Sequence, residues 1–468
     1  MRALLTKLCA LAVLTLAIAT SVPAHVAAQP VDQLQLTKTT RLTPRLSELD
    51  FTAETVGPTS VRVLVPAHFD ASGRTRYPVL YLLHGGGGDR TDWSMKGNAE
   101  AATASYPFIV VMTDTSHYGT YSDWWNYGRG GKPMWETYHV KQLVPWIDAH
   151  YPTIADRGRR AIAGLSMGGG GAMGLAAHHP DVFGAAAAFS GAVDTNTLPV
   201  QLLVETSGYE DMRMPGSLFG HRADNEVRWR GSNPWDLAVN LQNMSLELDT
   251  GNGLPGGPGG DLGDPVEGAV HEMMVNLHDQ LTNLALDHVW NDYGPGGHNW
   301  FYWSRDLTQL LPRLSALWAQ PIPEVTHFDF KTILNRYDVY GWHVGVARRA
   351  LEFSQLTVAP NGFSLTGSGR ATVITPPSFA PGAKVTARIA DGGRPRTLVL
   401  VADRAGRVTV PLSLGRPNPV QQFTAQGNAW AAAHRNAWPS VTADVSLYPT
   451  EGGKATATPS PRPRTRRR

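Results

Sequence analysis

The central part of the chain alternates short apolar runs with stretches of helical periodicity. The apolar runs are rich in aliphatic residues and are punctuated by glycine, which is typical of strands buried on both faces of a sheet. They lie at residues 77–85, 108–115, 159–166, 184–191, 244–253 and 288–298, with helix-like stretches between them at 135–152, 169–180 and 270–285. Strands that alternate with helices predict an α/β fold, a mostly parallel sheet with helices on both faces.

The stretch 135–152 carries both a helix signal and a helix breaker. Val140, Leu143, Val144 and Ile147 fall on one face at helical spacing. Pro145 interrupts the stretch, and because proline lacks the backbone N–H, we expect it to distort the helix.

Beyond Pro321-Ile322-Pro323 the helical pattern fades. Short alternating runs separated by turn residues follow instead, at 351–359, 362–374, 383–390, 396–402, 407–415 and 440–448. This spacing predicts a small all-β, sandwich-like domain over residues 325–450, after a catalytic domain over residues 29–320. No catalytic constellation is visible in the second domain. We expect it to pack rigidly against the first or to bind substrate or cell wall.

The N-terminus has the pattern of a secretory signal peptide, which we assign to residues 1–28. A basic start with Arg2 and Lys7 precedes an apolar run over 8–19, and small residues precede Gln29. We therefore expect a secreted or cell-envelope protein. No later stretch is long and apolar enough to predict a transmembrane helix. The one cysteine, Cys9, lies inside this segment, so we expect neither disulfides nor thiol chemistry in the mature chain.

Composition supports a folded protein with a large core. The chain has 468 residues, of which 42% are hydrophobic and 17% charged, too little charge for a disordered chain. The net charge of +2 becomes zero without the signal segment. Residues 451–468 form a basic, proline-containing segment, predicted to be a disordered tail that improves solubility or contacts an acidic envelope polymer. Nothing in the folded part indicates nucleic-acid binding.

One pentapeptide, Gly164-Leu165-Ser166-Met167-Gly168, lies between a predicted strand and a predicted helix. A phosphate-binding loop would need a lysine followed by serine or threonine, which this segment lacks. The pattern instead matches a nucleophile elbow, in which Ser166 stands at a sharp, strained turn and larger neighbours would collide with the strand and the helix. The dipole of the following helix favours developing negative charge. Alone, the motif is weak, because glycine-rich turns containing serine are common.

Two further features strengthen the hypothesis of a serine nucleophile. The run "LLHGGGGD" ends a predicted strand upstream, and the N–H groups of Gly86 and Met167 are our candidates for an oxyanion hole. We expect His84 to support that loop. The loop "YGPGGHNWFYW" follows the last predicted strand. His298 there fits the order serine, acid, histidine of this class of enzyme.

The acid that would orient His298 must lie between Ser166 and His298. The candidates are Asp249, Asp261, Asp264 and Glu267. Spacing alone leaves all four open, because they flank a glycine-rich loop whose path the sequence does not define.

Residues 50–320 resemble the esterase D-like branch of the α/β-hydrolases, and most closely the secreted mycolyltransferases of the antigen 85 family. The similar segments are "LLHGGGGD", "YSDWW", "WETYHVKQLVPWI", "GLSMGG", "RGSNPW", "LDTGNG", "PVEGAV" and "GPGGHNWFYW". The resemblance implies that Glu267, in a Glu-Gly step beyond the Gly-Asn-Gly loop, is the acid, with Asp249 and Asp264 as alternates. It also implies that Asp123, Trp124 and Trp125 lie near the cleft mouth and help to bind an acyl acceptor, although such a run is more often packing.

The chain also departs from the mycolyltransferase pattern. The family has aspartate where this chain has His84 and leucine where it has Gly86, and it has no match to the C-terminal domain. The expected function is a serine acyltransferase that moves an acyl group from an ester donor to a sugar or other hydroxyl acceptor without metal or organic cofactor. The alternatives are a secreted carboxylesterase acting on polysaccharide or small esters, and a non-catalytic envelope-binding protein, against which the intact triad argues.

Overall fold

The computed structural model describes residues 34–206, 214–260 and 262–450. The predicted signal peptide, the predicted basic tail and the candidate Asp261 lie outside these residues. Within the three described ranges, no helix combines the length and the apolar character that crossing a bilayer would require.

A nine-stranded sheet forms the core of the N-terminal region. Its strand order is β1-β2-β3-β5-β4-β6-β7-β8-β9. Pairing is antiparallel from β1 through β3 to β5 and parallel across the rest of the sheet. The strands are β1 Gln35–Arg41, β2 Leu46–Ala53, β3 Gly57–Leu64, β4 Val79–Leu83, β5 Ile109–Met112, β6 Arg160–Leu165, β7 Ala185–Phe189, β8 Ser245–Thr250 and β9 Val289–Asp292.

The six predicted apolar runs correspond to β4 through β9. The three N-terminal strands were not predicted. In β2 and β3, buried residues recur mainly at every second position, the pattern of strands with one face turned away from the core. The alternation in "TSVRVLV" was the signal that could have revealed β3.

Helices cover both faces of this sheet, which confirms the predicted α/β arrangement. Ile147, Leu175 and Leu277 belong to the core on one face, whereas Trp93 and Leu307 belong to the core on the other. The helices are α1 Asp92–Met95, α2 Ala99–Ala102, α3 Trp135–Thr137, α4 Val144–His150, α5 Met167–His178, α6 Leu198–Thr206, α7 Arg222–Gly231, α8 Pro265–Asn283 and α9 Trp300–Trp318.

The distortion expected at Pro145 is present. Between α3 and α4 the chain forms a π-helical segment, Tyr138–Leu143, and Pro145 lies in the first turn of α4. Proline cannot donate to the carbonyl one turn earlier, and wider helical turns of this kind accommodate a missing bond. This helical stretch is therefore irregular in its hydrogen bonds.

Two antiparallel sheets make up the C-terminal region, as the alternating pattern predicts. One sheet has the order β10-β13-β14-β19-β16-β17 and the other β11-β12-β15-β18. Their apolar faces form a shared core. The strands are β10 Phe328–Thr332, β11 Arg336–Val339, β12 Trp342–Ala347, β13 Ser354–Ala359, β14 Gly362–Gly367, β15 Gly369–Ile374, β16 Lys384–Ala390, β17 Arg396–Val401, β18 Thr409–Leu414 and β19 Val441–Pro449.

Three details of this region differ from the prediction. The strands β10 to β12 and a short helix, α10 Ala425–Ala433, were not predicted. The run 362–374 is not one strand but two, β14 and β15, which belong to different sheets. The chain changes sheet at Ser368 and Gly369, and Gly369 has a φ of 95°, a conformation that glycine adopts without steric cost.

Candidate active site

Ser166 stands at a sharp turn between β6 and α5. Its backbone has φ 53° and ψ −122°, a strained conformation that is maintained only where the surrounding structure demands it. A Cβ on Gly164 would overlap the Gly168 carbonyl group and approach the Cβ of Leu83 to 2.9 Å. A Cβ on Gly168 would lie 2.6 Å from the carbonyl oxygen of Leu83. Gly164 is therefore required for β6 to approach the start of α5, and Gly168 is required for α5 to approach the end of β4.

Two unpaired backbone N–H groups lie beside the serine. Gly86, Ser166 and Met167 all line the same cavity. Met167 is the first residue of α5, where helix N–H groups have no partner within the helix. Within the described part of the chain, neither the Met167 N–H nor the Gly86 N–H has a hydrogen-bond acceptor. The loop after β4 passes close to Ser166, because a Cβ on Gly85 would lie 3.3 Å from the Cβ of Ser166.

His84 supports this loop, as the sequence predicts. Its ring is fully buried, Nε2 accepts a hydrogen bond from the Thr115 N–H at 3.2 Å, and Nδ1 lies 2.8 Å from the Gly85 carbonyl oxygen. The first contact makes Nε2 the acceptor, so Nδ1 carries the proton and donates to the carbonyl. Both ring nitrogens are occupied, and His84 has no nitrogen free to act as a base.

His298 and Glu267 form a direct pair. Nδ1 of His298 lies 2.8 Å from Oε2 of Glu267, whose side chain is fully buried, while the imidazole is partly buried. Because the carboxylate accepts a hydrogen bond from the Nδ1–H group, the proton stays on Nδ1 and the other nitrogen, Nε2, is left as an acceptor. His298 lines the same cavity as Ser166. This arrangement is that of an imidazole oriented by a carboxylate and able to accept a proton through Nε2.

The second carboxylate oxygen of Glu267 has its own set of donors. Oε1 accepts hydrogen bonds from the Ser190 hydroxyl at 2.8 Å, the Gly251 N–H at 2.7 Å and the Thr250 hydroxyl at 3.2 Å. A fully buried carboxylate is costly unless its oxygens are paired, and these donors together with His298 satisfy both oxygens. The acid is therefore fixed in position and retained as an acceptor.

The other acid candidates are placed differently. Asp264 caps α8 by accepting from the Val266 and Glu267 N–H groups, and its second oxygen accepts from the backbone N–H of His298 at 2.7 Å. Burial opposes ionisation, but these three backbone hydrogen bonds hold the pKa of Asp264 below its usual range. Asp249 is buried at the end of β8 and accepts from the Asn291 side chain at 2.7 Å. Among the described candidates, only Glu267 hydrogen-bonds the imidazole of His298.

Aromatic rings also contact His298. Trp303 contacts the imidazole edge to face, with 4.9 Å between ring centroids, and Trp300 contacts Trp303 in the same way at 5.3 Å. Among the described residues, Ser166 makes no hydrogen bond to His298, whose Nδ1 is paired with Glu267.

The cavity around Ser166 has a volume of about 690 Å³, within the range of pockets that enclose drug-sized ligands. Its two sides differ in chemistry. The sheet order places β4 and β5 on one side of β6, and β7 and β8 on the other. The loops after β4 and β5 contribute polar lining residues, namely Asp92, Lys96, Tyr118, Thr120 and Ser122. The segments after β7 and β8 contribute mainly apolar ones, namely Val200, Val204, Phe219, Val266, Val270 and Met273.

The structure does not place Asp123, Trp124 or Trp125 in this lining. Asp123 accepts from the N–H and the hydroxyl of Thr137, and Trp124 is buried and lies in the core. The ring of Trp125 packs under the guanidinium of Arg228, at 4.7 Å. These contacts hold the loop together, so the geometry favours packing over acceptor binding. The residues of this segment that line the cavity are instead Tyr118, Thr120 and Ser122.

Several residues around the site were not identified from the sequence. Ser190, which hydrogen-bonds Glu267, follows β7 and carries no recognisable motif. Trp303 was visible in the motif after His298, but its contact with the imidazole depends on how α9 packs. The apolar wall from α6 and α8 has no linear pattern that distinguishes it from ordinary core residues.

Comparison with known proteins identifies relatives of the N-terminal region. The profile of the family described as "Putative esterase" matches residues 52–314, more than half of the chain. The chain is 33% identical to Esterase Rv1288 of Mycobacterium tuberculosis over 268 residues, which cover 54% of this chain and 56% of that protein. It is 29% identical over 269 residues to the diacylglycerol acyltransferase/mycolyltransferase Ag85B of Mycolicibacterium smegmatis, covering 54% of this chain and 81% of Ag85B.

Among solved structures, MPT51 (FbpC1) of Mycobacterium tuberculosis has a TM-score of 0.45 and 22% identity, covering 62% of this chain and 99% of MPT51. The chain spans about half the length of the curated esterase it matches, 56%. The family match ends at residue 314, before the first strand of the C-terminal region.

Proposed function

The chain belongs to this esterase family, and on that premise we propose that it is a secreted serine acyltransferase that carries acyl groups on Ser166. Its ester donor supplies the acyl group, and a sugar or other hydroxyl compound accepts it. The observation that carries the proposal is the cavity around Ser166, with a polar wall on one side and an apolar wall on the other. An ester has the same division into an alcohol part and an acyl part.

In the first half of the reaction, Nε2 of His298 takes the proton of the Ser166 hydroxyl as Oγ bonds to the ester carbonyl carbon. The carbonyl oxygen becomes an oxyanion, which the N–H groups of Gly86 and Met167 stabilise by roughly 3–4 kcal/mol each. Glu267 stabilises the imidazolium. The bond to the alcohol oxygen then breaks, and the alcohol leaves with the proton from His298. The product is an acyl-serine.

In the second half, a hydroxyl acceptor enters where the alcohol left. Nε2 of His298 takes the acceptor's proton as its oxygen attacks the acyl carbon, and the bond to Oγ breaks. Ser166 regains the proton from His298. We place the acceptor against the polar wall formed by Tyr118, Thr120 and Ser122, and the acyl chain against the apolar wall from α6 and α8.

Hydrolysis is the second candidate, with water as the acceptor. The loop with glycine at position 86, in place of the leucine of mycolyltransferases, favours it, as does the 33% identity to a protein named esterase. The two candidates share every step up to the acyl-serine. They differ only in which oxygen attacks the acyl carbon.

Product analysis separates the two candidates. The protein without residues 1–28 would be given p-nitrophenyl esters of several acyl lengths, with and without trehalose or glucose, and the products identified by mass spectrometry. We expect acylated sugar, and its loss in Ser166→Ala. Ser378→Ala, an exposed serine of the C-terminal region, is the matched control and should behave as wild type. Free acid alone, unaffected by sugar, would contradict transfer to these acceptors and establish hydrolysis. No turnover of any ester would contradict the proposed function.

A further inference from the structure

The C-terminal sandwich contacts the catalytic region through the segment between β7 and β8. This contact begins at the edge strand β10. The side-chain amide of Asn240 hydrogen-bonds the backbone of Lys331 as a neighbouring strand would. It accepts from the Lys331 N–H at 2.7 Å and donates to the Lys331 carbonyl oxygen at 2.9 Å. Gln242 and Asn243 donate to the next alternate carbonyls of the same edge, at 3.0 Å each. Three amide side chains thus cover an otherwise open sheet edge.

A second group of contacts reaches helix α7 directly. The side chain of Gln421 donates to the carbonyl oxygen of Asp224 at 2.8 Å. The guanidinium of Arg230 lies over the ring of Phe423, 4.8 Å from its centroid. Ile333 packs so tightly on Gly231 that a Cβ there would lie 2.7 Å from its Cγ1. The sandwich therefore touches α7 near both of its ends.

The other side of α7 supports the cavity. Trp229 is fully buried and contacts Phe219 edge to face, with 5.9 Å between centroids. Phe219 lines the cavity, as do Ser232 and Pro234, which follow α7 directly. One layer of helix thus separates the sandwich from this wall. A shift of α7 would move the wall, because packed interiors transmit displacement rather than absorb it.

We propose that the C-terminal sandwich is a positioning element of the acyl site, which holds α7 and thereby the wall that includes Phe219. The expected effect on ester kinetics rests on the proposed function, whereas the expected effect on the position of α7 does not. Residues of the sandwich do not touch the reacting atoms. Their effect is on how well a long acyl group is bound, whereas a short acyl group that does not reach this wall is unaffected.

The test is the double variant Gln421→Ala/Phe423→Ala in the full mature chain, which removes the hydrogen bond to Asp224 and the contact with Arg230 and leaves the packing of Ile333 on Gly231 in place. Gln421→Ala alone is the milder second variant, should the double variant fold poorly. Val399→Ala is the control, because Val399 is exposed on β17, at the opposite edge of the sheet from β10. The readouts are hydrogen exchange of backbone amides in residues 219–235 and kinetics with acetyl and dodecanoyl p-nitrophenyl esters.

In the double variant we expect faster exchange in residues 219–235 and an increase of about fivefold in KM for the dodecanoyl ester, consistent with losing one cation–π contact and one hydrogen bond. For the acetyl ester, kcat/KM should stay within about twofold of wild type. Equal effects on both esters, or no difference from Val399→Ala, would overturn the proposal. If the wild type turns over no ester, the proposed function is wrong. Hydrogen exchange then tests the positioning role by itself, and unchanged exchange of residues 219–235 in the double variant would overturn that role.

Discussion

In two places in this molecule a glutamate hydrogen-bonds histidine, and the two places differ in role. Glu267 contacts His298 at 2.8 Å beside the cavity. Glu136, on α3, contacts His178 at 3.0 Å and His179 at 2.8 Å, at the C-terminal end of the helix that begins after Ser166. By sequence alone, either glutamate could be called an acid beside a histidine. What separates them is the second nitrogen of each imidazole.

His178 has acceptors on both ring nitrogens, because Nε2 lies 2.8 Å from the carbonyl oxygen of Gly231. Burial opposes its charge, but the carboxylate of Glu136 and these hydrogen bonds outweigh it and raise the pKa of His178 to about 9. His178 is therefore a cation at neutral pH and joins α5, α3 and α7. His298 lines the cavity and has Nδ1 occupied by Glu267, while Nε2 makes no hydrogen bond to another described residue. A histidine acts as a base only where one nitrogen remains free.

The strongest test of this comparison removes one charge from each pair. Glu267→Gln should lower kcat by roughly 10³–10⁴-fold, because the amide no longer stabilises the imidazolium or selects the tautomer. Glu136→Gln should retain kcat within about threefold, since His178 takes no part in proton transfer. Ester hydrolysis assays on both variants check the prediction. Similar losses in the two would show that the comparison is wrong.

The second prediction concerns the free energy of unfolding, on which Glu136→Gln should have the larger effect of the two substitutions. Glu136→Gln leaves the His178 imidazolium without its carboxylate and should lower the free energy of unfolding by about 2–4 kcal/mol. The pair is partly accessible, with about a fifth of each side chain exposed, which places the effect below that of a fully buried pair. Urea denaturation followed by circular dichroism measures it. A loss below about 0.5 kcal/mol would show that the pair is no more than a surface ion pair.

The third prediction is the pH dependence of this stability. The folded-state pKa of His178 is raised above its ordinary value near 6.5, so its contribution is complete below that value and is lost as pH rises through about 9. The free energy of unfolding should therefore fall between pH about 6.5 and 9 in the wild type, with a smaller slope in Glu136→Gln. Glu267→Gln should retain the wild-type slope from this pair. An unchanged slope in Glu136→Gln would contradict the assignment.

The smallest effect is expected at Asp264, which sharpens the comparison by separating orientation from proton transfer. Asp264→Ala removes the cap of α8 and the contact with the His298 N–H. It should cost about 1 kcal/mol of stability and lower kcat by about tenfold or less, since Glu267 still contacts the imidazole. The control is Asp156→Ala. Asp156 caps the short 3-10 helix Arg157–Arg159 by accepting from the Gly158 N–H, and its substitution should affect stability alone. A loss equal to that of Glu267→Gln would identify Asp264 as part of the acid.

Much of the fold was predictable because it depends on local patterns. The runs that become β4 to β9 are continuous and apolar, since strands of a covered parallel sheet are buried on both faces. The N-terminal strands were not predicted because their alternation of apolar and polar residues is a weaker signal than a continuous apolar run, and because one of them, β1, is largely exposed. Helix α10 was not predicted because we expected residues 325–450 to be all-β and did not assign its alanine-rich run to a helix.

The elbow around Ser166 was predictable because its motif, a serine flanked by Gly164 and Gly168 between a strand and a helix, is continuous in sequence. The packing of both glycines on Leu83 of β4 is a tertiary contact that the motif does not record. Spacing alone did not single out the acid, because Asp249, Asp264 and Glu267 occur in one interval of sequence around a glycine-rich loop. The family resemblance implied Glu267, and Glu267 is the carboxylate that hydrogen-bonds His298. The expectation for Asp123, Trp124 and Trp125 rested on position in a motif, and their side chains turn to Thr137, the core and Arg228 instead.

The sequence by itself determined the class of fold, the strand–serine–helix turn and the order of serine, acid and histidine. The class of fold follows from periodicity, the turn from a glycine-flanked serine that lies directly between a strand and a helix, and the order from that class of fold. The resemblance implied Glu267 as the acid, but only the tertiary structure showed its contact with His298. Only the tertiary structure decided which of several histidines keeps a free nitrogen, and how α7 is held between the sandwich and the cavity. These depend on distances of a few ångströms between segments far apart in sequence, which are set by packing and which no linear pattern records.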